Sequence, residues 1–395
     1  MTVRSIHESM AQPCTSTAAS TRDASAVPVT AAADKPAETE PDRQLITRIE
    51  HTLANYLARR IDDATAIHPV LAEAAGTLTE FVLGGGKRIR PTFAWWGWRG
   101  AGGDPHDVNV LQAVSALELV QASALVHDDL IDASDTRRGR PTLHVEFAGR
   151  HERHSWRGAS QRFGAAAAIL LGDLALAWAD DMFNHAELSD GQRRRIRPVW
   201  AGMRTDMLGG QYLDSWCQAS GADTVAAALR VNRFKTAAYT VERPLQLGAA
   251  LAGAPRELVT AYRRFGVDIG TAFQLRDDLL GVFGDPQVTG KPVGDDLREG
   301  KRTVLMALAI QTARTRRRTA EAEVLTSALG DPELDAEGVD RVRNILCELG
   351  ASAEVERYIE QLTKCGLAAL ASAEVAQPAA WKLAELALAA TRRRH

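Results

Sequence analysis

Asp128 and Asp132 stand four residues apart in the apolar stretch "HDDLIDASDTRRG", a spacing that puts both carboxylates on one face of a helix, one turn apart. Two adjacent carboxylates in an apolar helix repel each other unless a cation sits between them. Oxygen-only ligands of this kind favour Mg²⁺, which keeps several waters and shares its coordination shell with substrate phosphates. Asp277 and Asp278 in "FQLRDDLLGVFGD" form a second acidic cluster on another apolar helix. Two such helices facing one cavity would hold several metal ions, whereas burying these carboxylates unpartnered would cost several kcal/mol. Asp129 points off the shared face and is placed to orient a water or a neighbouring Arg.

Basic residues gather in the turns around these helices. Lys87, Arg88 and Arg90 lie in "GGGKRIRP", Arg137 and Arg138 directly follow the first acidic motif, and Lys291 and Lys301 follow the second. Arg forms forked contacts to phosphate oxygens and Lys acts as a point charge, so such clusters recognise anions. Gly84 to Gly86 allow a tight turn and close backbone approach to a ligand. Carboxylates, cations and Mg²⁺ together point to a diphosphate.

The elements that carry these residues are helical. From about Leu45 onward apolar residues recur at three- and four-residue spacing, broken by short Gly, Pro or Asp clusters. One helix is expected from Ala113 to Ser134 and another from Ala165 to Phe183, both apolar on most faces and therefore buried. No strand pattern competes, so the fold class is all-α. Residues 1–43, rich in Ala, Thr, Ser and Pro and lacking any aromatic residue, read as a disordered extension before a helical domain spanning 44–395. Acidic residues in that extension argue against a transit peptide.

With 395 residues, 45% hydrophobic and 25% charged, the chain can bury a large core. Its net charge of −3 gives no general reason to bind nucleic acid. No uninterrupted apolar run of membrane-spanning length is present, and four cysteines without a CxxC pair suit a reducing cytoplasm.

The motifs "GGGKRIRP", "LVHDDLIDASDTRRGRPTLH", "LLGDLALAWA", "GGQYLD", "KTA", "FQLRDDLLGVFGD" and "GKPVGDDLREGKRT" occur in the order and spacing of the trans-isoprenyl diphosphate synthases. From about residue 45 to the C-terminus the chain resembles this polyprenyl synthetase family, and within it the geranylgeranyl diphosphate synthases of actinobacteria. The resemblance implies an isoprenoid synthase fold, with antiparallel helices around a central cavity, and a homodimer. It implies head-to-tail condensation of isopentenyl diphosphate with an allylic partner (dimethylallyl, geranyl or farnesyl diphosphate), geranylgeranyl diphosphate being the expected product. The alternatives are a farnesyl or longer-chain synthase, or a non-catalytic partner subunit.

Carried over position by position, the resemblance implies that Asp128 and Asp132 bind two of three Mg²⁺ ions and Asp277 the third. Arg137, Lys235, Thr236, Gln274, Lys291 and Lys301 would hold the allylic diphosphate, and Lys87, Arg90 and Arg138 that of isopentenyl diphosphate. Gln211 and Asp214 would orient Lys or water. Two departures stand out: Gln121 replaces a His found in many members, and Gly281 ends the second acidic motif where many have a third Asp, leaving Asp278 or Asp285 to compensate. The small Ser123 and Ala124, five and four residues before Asp128, are expected to face down the channel and leave room for a long product. An aromatic residue at Ser123 would then shorten it.

Overall fold

The computed structural model describes residues 36–284 and 294–392. The helical period becomes α1 (Glu40–Arg43), α2 (Leu45–Ile67), α3 (Pro69–Leu83), α4 (Ile89–Gly100), α5 (Val108–Ser115) and α6 (Leu117–Ile131). A two-residue ladder, β1 (Thr136–Arg137) and β2 (Arg140–Pro141), precedes α7 (Leu143–Arg153), α8 (Ser160–Asn184), α9 (Asp190–Ser220) and α10 (Val225–Val231). A π-helical segment, Asn232–Glu242, runs directly into α11 (Arg243–Ala252), followed by α12 (Arg256–Phe283). After the undescribed residues come α13 (Asp295–Arg298), α14 (Val304–Thr315), α15 (Thr319–Ala328), α16 (Ala336–Glu348), α17 (Ala351–Ala371) and α18 (Ala379–Thr391).

Local chemistry sets several of these boundaries. Asp107 caps α5 by accepting from the backbone N–H groups of Asn109 and Val110, and Ser189 with Gln192 forms a reciprocal capping box on α9. The single helix expected over 113–134 is corrected. A turn at Ala116 interrupts it, and it stops at Ile131 because Ala133 adopts a left-handed φ of +52°. Asp132 is therefore the C-cap residue, not an interior one. The other expected long helix lies wholly within α8.

Two apolar clusters form the interior. The larger gathers α2–α6, α8, much of α9 and α11, with Trp95 and Trp96 fully buried in it; the smaller gathers α14–α17. α12 belongs to both. Its Leu258, Tyr262, Phe265 and Ile269 enter the first, and Leu275, Leu279 and Val282 the second. Each such side chain, fully buried, contributes about 1.5–3 kcal/mol by removal from water. The last turns of α12, which carry Gln274 and Asp277, are thus fixed where two cores meet.

The expected boundary after Arg43 is corrected as well. α1 is already ordered, and buried Asp42 accepts from Trp95 Nε1 at 2.9 Å and pairs with Arg99 Nη2 at 3.1 Å. A carboxylate held this way makes residues 40–43 part of the helical domain. Two stretches, Val108–Ile131 and Ser160–Asn184, reach membrane-spanning length and hydropathy, which a search for uninterrupted apolar runs does not detect. The first is 72% buried by neighbouring helices over its most apolar window, the second 39%.

Candidate active site

One cavity of about 850 Å³ gathers side chains from α6, the β1–β2 hairpin, α9, the π-helical segment, α12 and the loops before α4 and α14. Of the residues singled out by sequence, Lys87, Arg90, Gln121, Ala124, Asp128, Arg137, Arg138, Gln211, Asp214, Lys235, Thr236, Gln274, Asp277 and Lys301 line it. Asp132 is not among the lining residues; its side chain is 4% exposed and linked to the lining Lys301 Nζ at 3.5 Å. Lys291 and Asp285 lie outside the described residues.

Ser123 does not reach the cavity wall, contrary to the sequence expectation; it is 1% exposed, with a buried hydroxyl that has no partner. Helix geometry explains the difference. Four residues bring a side chain to within about 40° of Asp128 around the axis, whereas five carry it about 140° away.

The acidic pair on α6 is surrounded by cations. Lys235 Nζ lies 3.0 Å from Asp128 Oδ1 and 2.6 Å from Asp214 Oδ2. Burial opposes the charge on Asp128, yet Lys235, Lys301 and Arg137 together hold its carboxyl below the ordinary range. Asp132 goes the other way: burial and then the neighbouring Asp128 charge push it up to about 6. The ammonium groups of Lys235 and Lys301 are desolvated but kept charged by these carboxylates, with Lys301 well above the usual lysine value. Asp129 is buried and takes Arg137 Nε at 2.7 Å, the orienting contact expected from its place on the helix.

The hairpin that carries the arginines turns through Arg138 and Gly139, both with positive φ, as a tight two-residue connection requires. Arg138 Nη1 donates to the carbonyl of Gly85 at 2.6 Å, fastening the hairpin to the glycine turn. In that turn Arg88 points inward and pairs with Glu118 at 2.9 Å, with 2% and 7% of the two side chains exposed. Arg88 also donates to the Val82 carbonyl at 2.9 Å. Replacing Arg88 by Met is expected to cost about 3–5 kcal/mol, because Glu118 is left buried without its counter-ion. Urea unfolding measures this, and adding Glu118→Leu should recover most of the loss.

The π-helical segment sets the opposite wall. Its i→i+5 bonding turns Lys235, Thr236 and Tyr239 all toward the cavity. Thr236 Oγ1 donates to Gln274 Oε1 at 2.6 Å, and Gln274 Nε2 donates to Asp278 Oδ1 at 2.8 Å. Burial pushes Asp278 up to about 7 against the help of Gln274, and its side chain lines the same cavity. Tyr239 donates to Gln121 Oε1 at 2.7 Å, and its ring lies 4.1 Å from the Arg90 guanidinium. The buried amide nitrogen of Gln211 has no partner at the cavity wall.

Several of these features were not foreseen from the sequence. Gly210 is one: a Cβ there would lie 2.2 Å from Lys235 N, so α9 can pack against the Lys235 backbone only without a side chain. The glycine pair inside an otherwise helical stretch is the signal for such close approach. Glu118, alone among apolar neighbours in "ALELV", signalled a buried ion pair.

Among the described residues, no three His, Cys, Asp or Glu side chains converge as a ready-made metal cage. The donor set nonetheless fits Mg²⁺. It is oxygen-only, burial and then the neighbouring Asp128 charge raise Asp132, and such a set would hold Mg²⁺ shared with water and substrate phosphate.

The polyprenyl synthetase family model matches residues 71–346. The chain belongs to the polyprenyl synthetase family. Among solved structures, this polyprenyl synthetase is similar to a geranylgeranyl pyrophosphate synthase of Corynebacterium glutamicum complexed with isoprenyl diphosphate and magnesium. Identity is 43%, coverage 89% of this chain and 99% of that one, and the TM-score 0.86. It is 33% identical to a geranylgeranyl diphosphate synthase of Mycobacterium tuberculosis, over 73% of this chain and 75% of that protein. A (2E,6E)-farnesyl diphosphate synthase of the same organism is also 33% identical, over 70% of this chain and 72% of the relative. The all-α isoprenoid synthase fold expected from the resemblance is the one found, and the family is one of prenyltransferases.

Proposed function

We propose that this polyprenyl synthetase joins isopentenyl diphosphate head to tail with an allylic diphosphate, and that its main product is geranylgeranyl diphosphate. The observation that carries this reading is that one cavity is lined by two sets of cations, more than one diphosphate requires. Lys235, Lys301 and Arg137 stand among carboxylates, and Lys87, Arg90 and Arg138 line the same cavity, with Arg90 joined to Gln121 through Tyr239.

On the carboxylate side, Asp128, Asp132 and Asp277 would hold Mg²⁺, three ions in all, with Arg137, Lys235, Thr236, Gln274 and Lys301 gripping the allylic diphosphate. Bound Mg²⁺ would supply positive charge against the diphosphate as its bond to carbon ionises. Lys235 and Lys301, fixed and desolvated beforehand, stabilise that separated charge more than the ground state. Gln211 and the hydroxyl of Thr236 turn dipoles toward the allylic cation, while Asp214 steadies Lys235.

On the other side, Lys87, Arg90 and Arg138 take the diphosphate of isopentenyl diphosphate. Gln121 gives its carbonyl to Tyr239, which leaves its amide N–H groups for the anion. The alkene attacks the cation, and the released diphosphate removes the final proton, so no His or Glu base is needed. Ala124 below Asp128 leaves the cavity open toward a long chain. Apolar side chains left exposed on α8 (Ile169, Leu170) and α9 (Tyr212, Trp216) support a homodimer.

Purified protein given isopentenyl diphosphate with dimethylallyl, geranyl or farnesyl diphosphate should yield geranylgeranyl diphosphate by mass spectrometry, with none formed in EDTA. A farnesyl or longer product would overturn the length assignment. No product from any starter would overturn the catalytic reading in favour of a subunit that needs a partner.

A further inference from the structure

The two acidic helices of the cavity present unequal faces. α6 offers Asp128 and, one turn on, Asp132; α12 offers Asp277 and, one turn on, Gly281. The space that a side chain at Gly281 would take is already filled. A Cβ built there meets Oδ2 of Asp296 at 2.1 Å, a separation that real side chains do not show. Asp296 belongs to the short helix α13, fifteen residues further along the chain, and lines the same cavity as Asp277 and Gly281. Its carboxylate is 18% exposed and lies 3.2 Å from Lys301 Nζ.

We propose that Asp296 is the second carboxylate of the α12 cation site, partnering Asp277 as Asp132 partners Asp128. The glycine at 281 is the vacancy that admits it. The proposal rests on the diphosphate-and-Mg²⁺ reading of the cavity. Lys301 supports it: its ammonium lies 3.5 Å from Asp132 and 3.2 Å from Asp296, so one cation joins the carboxylates that end the two acidic faces. Asp278 also lines the cavity, but it is 5% exposed and its Oδ1 is taken by Gln274 Nε2, whereas Asp296 occupies the position one turn on from Asp277. Asp296 would meet the ion directly or across one of the waters that Mg²⁺ retains.

The alternative is that Asp296 only orders its own loop through Lys301. Relocating the carboxylate separates the two. Asp296→Ala, Gly281→Asp and the double variant are compared for Mn²⁺ binding in the presence of inorganic diphosphate, by electron paramagnetic resonance. Asp296→Ala is expected to weaken the weakest Mn²⁺ site by about 10- to 100-fold, and the double variant to return within about threefold of wild type. Gly281→Asp alone should bind no more tightly than wild type, because its carboxylate collides with Asp296. Asp296→Asn carries the same readout should the Ala variant fail to fold, as followed by circular dichroism.

Wild-type affinity in folded Asp296→Ala or Asp296→Asn would overturn the proposal. So would a folded double variant as weak as Asp296→Ala, which would mark a loop-ordering role. Mn²⁺ binding does not depend on prenyl transfer. A wild type that binds Mn²⁺ and diphosphate but makes no prenyl product would therefore count against the proposed function alone.

Discussion

Replacing Asp128 by Ala should lower kcat by about 10³-fold or more while leaving the fold intact, a loss of the size seen when one preorganised electrostatic group is removed from a reacting centre. The fold should survive because no charge is stranded. Lys235 keeps Asp214 at 2.6 Å, and Arg137 keeps Asp129. Asp132 also loses the repulsion that, after burial, raises its carboxyl, which offsets part of the lost attraction to Lys235. Steady-state kinetics over a Mg²⁺ series, with a thermal melt beside it, checks both halves. Turnover within tenfold of wild type would show that the cation is held elsewhere.

The second large effect concerns product length. Ala124 lies one turn below Asp128, about 6 Å down the helix axis, and its methyl group forms part of the cavity wall. Phe at this position should shorten the main product by at least one isoprene unit. Phe at Ser123, buried away from the cavity, should instead destabilise the protein by about 1–3 kcal/mol through overpacking and leave the product length alone. Product mass spectra and urea unfolding of the two variants, measured side by side, decide the matter. Equal shortening by both would mean that the chain grows along a different path.

Much of this site was legible because its signals are local. Carboxylates one helical turn apart, cations in the adjoining turns and a sustained helical period need no knowledge of distant residues. Gln121 and Gly281 were visible as departures, but their consequences were not. The partner of Gln121 is Tyr239, 118 residues away, and the occupant of the Gly281 space is Asp296 on another element. The π-helical widening at Asn232–Glu242 leaves no compositional mark, since its apolar spacing passes for ordinary helix. The ends of α6 and of the N-terminal extension were misplaced for related reasons: one turns on the left-handed backbone at Ala133, the other on a contact between Asp42 and Trp95 across the fold.

The pairing of Lys235 with two carboxylates, and of Lys301 with three, also bears on what happens after each turnover. These lysines always have somewhere else to go. On the proposed reading, a diphosphate leaving the cavity would not strand desolvated ammonium groups, because Asp128, Asp214 and Asp296 lie within about one hydrogen-bond length to take them back. The carboxylates would then compete with the product from inside the protein, lowering the grip on spent diphosphate and shifting the balance toward release.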